Sequence, residues 1–251
     1  MSPLEVGWPL LVLLVVLVAA AALVVRVGGV GTVRDPLVAS ARAGVQLAVV
    51  SLVIAGVLRS MVLTLAFLAL MTGVAAATSY RRVTGRLGPG AAWLVLPVAA
   101  GVVPPVGAAL LLGVLPLEPV AVLPVGGIVV GGTMTATTLA GTRVTERLVE
   151  QHGPFEAALA LGLTEPQAVR FLGRPAAGLA LVPGLDQTRT VGLVTLPGAF
   201  VGVLLGGGSA VDAGAAQLLV LVGLLYAQAV AVAITVELVA RGRLVGRAAA
   251  R

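Results

Sequence analysis

The chain has no cysteine and no lysine, a single histidine, and aromatic side chains at only 3% of its 251 positions. Without cysteine it has no disulfide framework, no thiolate metal site and no thiol redox centre, and thiol usage says nothing about its compartment. The lack of lysine leaves all 16 basic residues as arginine, a compositional bias from which no function follows. Charge is scarce too, at 10% of residues. No glycine-rich phosphate-binding loop occurs, so the sequence offers no nucleotide-binding motif of its own.

What the sequence does contain is hydrocarbon. Hydrophobic residues make up 59% of the chain and the mean hydropathy is +1.12, more apolar surface than one water-soluble core can hide. Lipid must solvate it. The bias toward Ala, Val, Leu and Gly suits membrane helices packed through small residues, and it excludes disordered and fibrous classes. A formal charge of +6 and a pI of ≈ 11.4 fit a nucleic-acid binder, but the arginines stand at the ends of apolar segments and not along one polar face. They read as topology signals, and no nucleic-acid partner is expected. The fold class is therefore all-α, a polytopic membrane protein with about seven transmembrane helices.

Taken in order, the first span is Trp8 to Val25, about 27 Å of helix at ~1.5 Å per residue. Ala19 to Ala22 imitates a signal-peptide cleavage site, but the preceding residues carry Glu5 and no positive charge, which favours a retained helix. The second span, Ala43 to Leu58, is short and calls for snorkelling side chains or an N-terminal extension through Pro36 to Ser40. The third runs Ser60 to Tyr80. The fourth, Ala91 to Leu115, holds Pro97, Pro104 and Pro105 and is expected to kink or break. The fifth, Val120 to Thr142, is the most polar. The sixth begins near Val191, contains Pro197 and spaces Gly198, Gly202 and Gly206 four apart, a ridge that admits a close helix neighbour. It is short enough to be re-entrant. The seventh runs from about Ala213 to Ala240.

Seven crossings place 15 of the 16 arginines on one side, including the long polar segment from Arg143 and the tail of Arg241, Arg243, Arg247 and Arg251. Only Arg59 falls opposite, with Glu5, Glu118 and Asp212. By the positive-inside rule the amino terminus is outside, and the carboxyl terminus and the long segment are cytoplasmic.

That long segment carries Glu156-Ala157-Ala158, then Gly162, Leu172 and Pro175. The spacing resembles the EAA loop of ABC transporter permeases, with Leu172 where the pattern has Ile and Arg174 where it has Leu. In that family the loop is a cytoplasmic helix-turn-helix that docks into a groove on the ATPase subunit. The resemblance implies an ATPase-coupling role for Glu156, Ala157, Ala158, Gly162, Pro166 and Gln167. Read without it, the segment is an ordinary amphipathic connector.

Further blocks widen the likeness: Arg42-Ala43 with Gln46-Leu47, Pro124 through Gly132-Thr133-Met134, Leu161 through Gln167-Ala168, and Asp186 through Thr190 to Gly198. Together they resemble the FetB-type permease family, the membrane subunits of a bacterial iron-export ABC system with plant relatives tied to aluminium tolerance. The likeness runs from about Arg42 to Arg243. It implies a single transmembrane permease domain over 1–251, with a cytoplasmic coupling loop at about 143–190. It also implies a homodimer of permeases in the inner membrane, with Mg-ATP bound by two copies of a separate ATPase and no cofactor on this chain. The cargo it implies is a metal ion such as iron, although no cluster of membrane carboxylates marks a metal site.

Substrate-path candidates are Gln46, Thr133, Met134, Thr137 and Gln228. The threonines have an equally weighted reading as side chains bonded to their own helix carbonyls, and a lone Met as simple packing. Glu237 is placed to pair with Arg241 one turn on, and Asp186 to cap the sixth span. Ser209 after Gly206-Gly207-Gly208 hints at an intramembrane protease, but the one histidine lies in the long polar segment, away from it. A secondary carrier or channel is the second reading, since proline-broken helices also suit ion sites.

Overall fold

A computed structural model of the chain describes residues 7–244; Glu5, Arg247 and Arg251 of the charge pattern lie outside the described residues. No strand occurs among them, in line with the all-α expectation. They divide into two compact units at Arg59–Ser60.

The first unit is a pair of helices, α1 (Trp8–Gly28) and α2 (Arg34–Val57). Gly29 takes the left-handed conformation at the end of α1 (φ 62) and reverses the chain. The short second span is resolved by extension: α2 starts at Arg34, with Asp35 in its first turn facing the positive end of the helix dipole.

The second unit is built on α3 (Met61–Thr84), α4 (Val95–Leu111), α5 (Pro119–Glu150) and α10 (Ala210–Ala240). A 3-10 turn, Pro89–Leu94, leads into α4. Counting that turn with α4, six helices in the described chain are long and apolar enough to cross a membrane. Buried alanines on the facing sides of α5 and α10, among them Ala136, Ala140, Ala227 and Ala231, are at most 1% exposed. They let these two backbones run close, where dispersion contacts replace the hydrophobic drive that lipid cannot supply.

Two expectations are corrected here. The fourth span does not break: α4 is continuous through Pro104 and Pro105. Those prolines deprive the carbonyls of Ala100 and Gly101 of their helical donors, a loss that helix packing in a bundle tolerates. The sixth span is not a helix from Val191. In its place the chain between α5 and α10 runs in pieces: α6 (His152–Ala160), α7 (Glu165–Gly178), a 3-10 turn (Leu179–Leu181), α8 (Val182–Thr190) and α9 (Gly198–Leu205). Asp186 accordingly lies inside α8, paired with Arg189 at 3.5 Å, and caps no span.

Three contacts track this segmented stretch along α10. Arg170 on α7 meets Glu237, Gly184 on α8 meets Gln228, and the Phe200 N–H on α9 donates to the Gln217 side chain. The positions on α10 fall from 237 to 217 as the chain advances, so the stretch runs antiparallel to it for about 30 Å at ~1.5 Å per residue. That is the thickness of a bilayer core. Beside the six long apolar helices, this stretch, broken at residues 191–197, is thus as long as a bilayer core is thick.

Candidate functional site

The coupling candidates gather on a helix-turn-helix. α6 ends at Ala160, the chain turns over residues 161–164, and α7 begins at Glu165. Gly162 sits at φ +95 with nothing within 4 Å of the side chain it lacks. The turn needs glycine for its backbone conformation and not for space. Gln167 has a local role: its Oε1 accepts the Thr164 N–H at 2.8 Å, half of a capping box that starts α7, and Pro166 occupies the first turn where no donor is needed. Ala158 is buried, whereas Ala157 and Glu156 are exposed, with Glu156 3.2 Å from His152.

The hairpin tip also exposes Leu161 (83%) and Phe171 (70%), which with Arg170 and Arg174 border a shallow groove. Exposed leucine and phenylalanine flanked by arginines make a surface suited to a protein partner.

Arg170 ties this hairpin to the membrane bundle. Its Nε and Nη2 each donate to one carboxylate oxygen of Glu237 at 2.8 Å, and the Arg241 Nε donates to the same carboxylate at 2.6 Å. The Arg241 partner was expected from the i,i+4 spacing. Arg170, 67 residues away in sequence, was not. The two-pronged contact of a guanidinium with a carboxylate fixes both the distance and the orientation of α7 against α10.

The path candidates fall into three groups. Gln46 lies exposed on α2, in the first unit. Thr133 is fully buried and its hydroxyl donates to the Val129 carbonyl, its own helix, at 2.6 Å; Met134 packs among Ala75, Val98 and Val130. For these two the packing reading describes the geometry. Thr137 and Gln228 differ: both are buried, and neither the Thr137 hydroxyl nor the Gln228 Oε1 has a hydrogen-bond partner among the described residues. A buried unpaired amide costs free energy, so Gln228 is the strongest candidate for a contact with something that passes. No cluster of three His, Asp or Glu residues able to hold a metal occurs among the described residues. The ridge of Gly198 and Gly202 faces an apolar cavity of ≈ 720 Å³ between α5, α9 and α10.

Two close approaches escaped the sequence reading. A Cβ at Gly101 of α4 would stand 2.7 Å from the Ala227 carbonyl oxygen and 3.0 Å from the Thr133 Cγ2, so α4 and α10 meet there backbone to backbone, beside a side chain of α5. A Cβ at Gly184 would run into the Gln228 Oε1. A glycine among apolar residues carries no local mark of either.

Comparison with known proteins gives a consistent family. The model of an uncharacterised protein family, UPF0014, matches residues 8–243. A UPF0014 membrane protein of Synechocystis is 31% identical over 222 residues, covering 86% of this chain and 84% of the relative. The UPF0014 membrane protein STAR2 of Oryza sativa is 40% identical over 110 residues, 44% of this chain and 39% of the relative. The probable iron export permease protein FetB of Escherichia coli is 35% identical over 108 residues, 41% of this chain and 42% of the relative. The match thus spans under half the length of the last two. No solved structure matches the chain.

Proposed function

Since the chain belongs to the UPF0014 family of membrane proteins, we propose that it is the membrane-spanning permease subunit of an ABC transporter, driven by a separate ATPase that binds the α6–α7 hairpin. One observation carries this reading: an exposed hairpin with apolar residues at its tip is clamped by Arg170 to Glu237 on the central membrane helix. Force applied at the hairpin reaches α10 through that clamp. Two copies of the chain form the permease in the inner membrane, with the amino terminus outside and the arginine-rich ends in the cytoplasm. Mg-ATP binds the partner, and this chain catalyses no reaction. The name of the Escherichia coli relative supports a metal ion such as iron as cargo, moved outward.

The broken stretch gives a second reading its own support, because carriers and channels also place interrupted helices at the membrane midplane. Copurification separates the two: a permease subunit retains an ATPase in mild detergent, and a carrier or channel does not.

The hairpin provides the direct test. Gly162→Leu forces a β-branch-free but Cβ-bearing residue into a left-handed backbone, at about 1–2 kcal/mol. The turn should reshape while the membrane helices insert normally, with loss of ATPase association or of coupled transport. Glu156→Lys, which reverses charge on the same exposed surface, should weaken the same association, and Arg86→Glu, beyond the end of α3, should do so less. Normal transport with the partner still bound in both hairpin variants would reduce the segment to a connector.

Orientation has a separate readout. A reporter inserted near His152 should score cytoplasmic and one near Glu118 external. The reverse result would put the hairpin out of reach of any ATPase.

A further inference from the structure

The polar face of α8 lies where hydrocarbon is expected. Gly184 packs on Gln228, and Gln228 packs on Gly132 of α5. Gln228 is 16 residues from Asp212 and nine from Glu237 on the same helix, which puts this contact inside the membrane at about 24 Å from one charged boundary and about 14 Å from the other, at ~1.5 Å per residue. Asp186 is two residues beyond Gly184 and Arg189 five, which keeps both within about 8 Å of that level.

These side chains do not face the bundle. Gly184 and Thr188, one turn apart, point to α10; Asp186, two residues round the helix, points the opposite way. The side chains of Asp186 and Arg189 are 61% and 70% exposed, and Gln187 beside them is exposed as well. Their mutual contact at 3.5 Å cancels the net charge without removing the need for solvation. Ionisable groups at this depth face a bundle interior or water, and lipid is the costly alternative.

From this the geometry points to α8 as one wall of a water-filled path for a hydrophilic solute, closed on its far side by the same helix of a second copy of the chain. Asp186, Gln187 and Arg189 are the residues that touch the solute. One copy alone leaves them against hydrocarbon, whereas a two-fold pair sets two such faces toward each other, with each Asp186 able to meet the Arg189 of the other copy. The unpaired Oε1 of Gln228 lies behind the wall at the same level and supplies an acceptor when Gly184 of α8 moves off it. The break at residues 191–197 gives α8 a free end, so it can move without α9.

This wall deepens the permease reading and rests on it for the identity of the solute, but its test needs neither ATPase nor cargo. The natural absence of cysteine makes every single-cysteine variant clean. Gln187→Cys and Thr190→Cys, in lipid nanodiscs, should react with a charged, membrane-impermeant thiol reagent on the order of tenfold faster than Val103→Cys, because a thiol in hydrocarbon stays protonated. Val103 is 65% exposed and two residues from Gly101, hence a control at similar depth. A water-soluble carbodiimide should also modify Asp186 in the unsubstituted protein, a result that no folding defect can imitate. Oxidation of Gln187→Cys should trap a disulfide-linked pair of chains. Equal, slow labelling at all three cysteines with an unmodified Asp186 would overturn the wall. Fast labelling without a trapped pair would overturn the second copy. A labelled wall in a protein that binds no ATPase would leave this assignment standing and remove the permease reading.

Discussion

Gly101→Val should prevent the second unit from assembling and yield little monodisperse protein after extraction from the membrane. The obstacle is main chain: a Cβ at this position meets the Ala227 carbonyl oxygen at 2.7 Å, and that oxygen belongs to the most buried stretch of α10. A flexible side chain can swing aside, but here α4 must move bodily away from α10 and α5. Overpacking of this kind costs about 1–3 kcal/mol, and a rigid obstacle places it at the upper end. The displacement would also disturb Thr133, whose Cγ2 borders the same spot. Gly107→Val on the same helix is the control, since nothing lies within 4 Å of its missing side chain. Thermal unfolding followed by size-exclusion chromatography reads both. Equal behaviour would mean that the glycine at 101 serves helix flexibility and not close approach.

Reversing the charge at either end of the Arg170–Glu237 clamp should uncouple the hairpin from α10. Arg170→Glu sets two carboxylates face to face, and Glu237→Arg sets three guanidinium groups together, because Arg241 already shares the Glu237 carboxylate. Each single variant should lose coupling between the hairpin and transport on the order of tenfold. The double exchange restores opposite charges across the α7–α10 contact and should recover much of that loss. Recovery stays partial, since the new arginine at 237 stands one turn from Arg241. A partner-free readout accompanies it: in either single variant chymotrypsin should cut after the exposed Phe171 of α7 faster than in the unsubstituted chain, as α7 loosens. A double exchange no better than the single variants would show that the pair anchors nothing across the two helices.

Much of the architecture was legible because a bilayer leaves few options. Long apolar runs have to be helices, since lipid satisfies no backbone donor, and the arginine clusters mark where those helices stop. That reasoning located α1, α3 and α10 within a few residues and the start of α5, which runs on to Glu150 where Thr142 was expected, and the start of α2 at Arg34 matched the extension that its short apolar run required. The hairpin was legible from the spacing of Glu156-Ala157-Ala158 and Gly162 through its resemblance to a known loop, whereas the capping box of Thr164 and Gln167 emerged only in the structure. The sixth span was not. Hydropathy treats Val191 to Leu205 as one apolar stretch, while the structure breaks it and sets the polar α8 before it. Likewise Pro104 and Pro105 signal a broken helix by local chemistry, yet packing carries α4 past them.

Composition and periodicity by themselves determined that this chain lives in lipid as helices and where its long apolar helices begin, because the hydrophobic effect and backbone hydrogen bonding act on each segment independently. Which segments meet was decided only in three dimensions. The Arg170–Glu237 clamp joins residues 67 apart, Gly101 matters only because Ala227 arrives beside it, and α8 sits where it does only because Gly184 is held against Gln228. Each of these depends on a contact between distant parts of the chain, and no local pattern of residues encodes the neighbour.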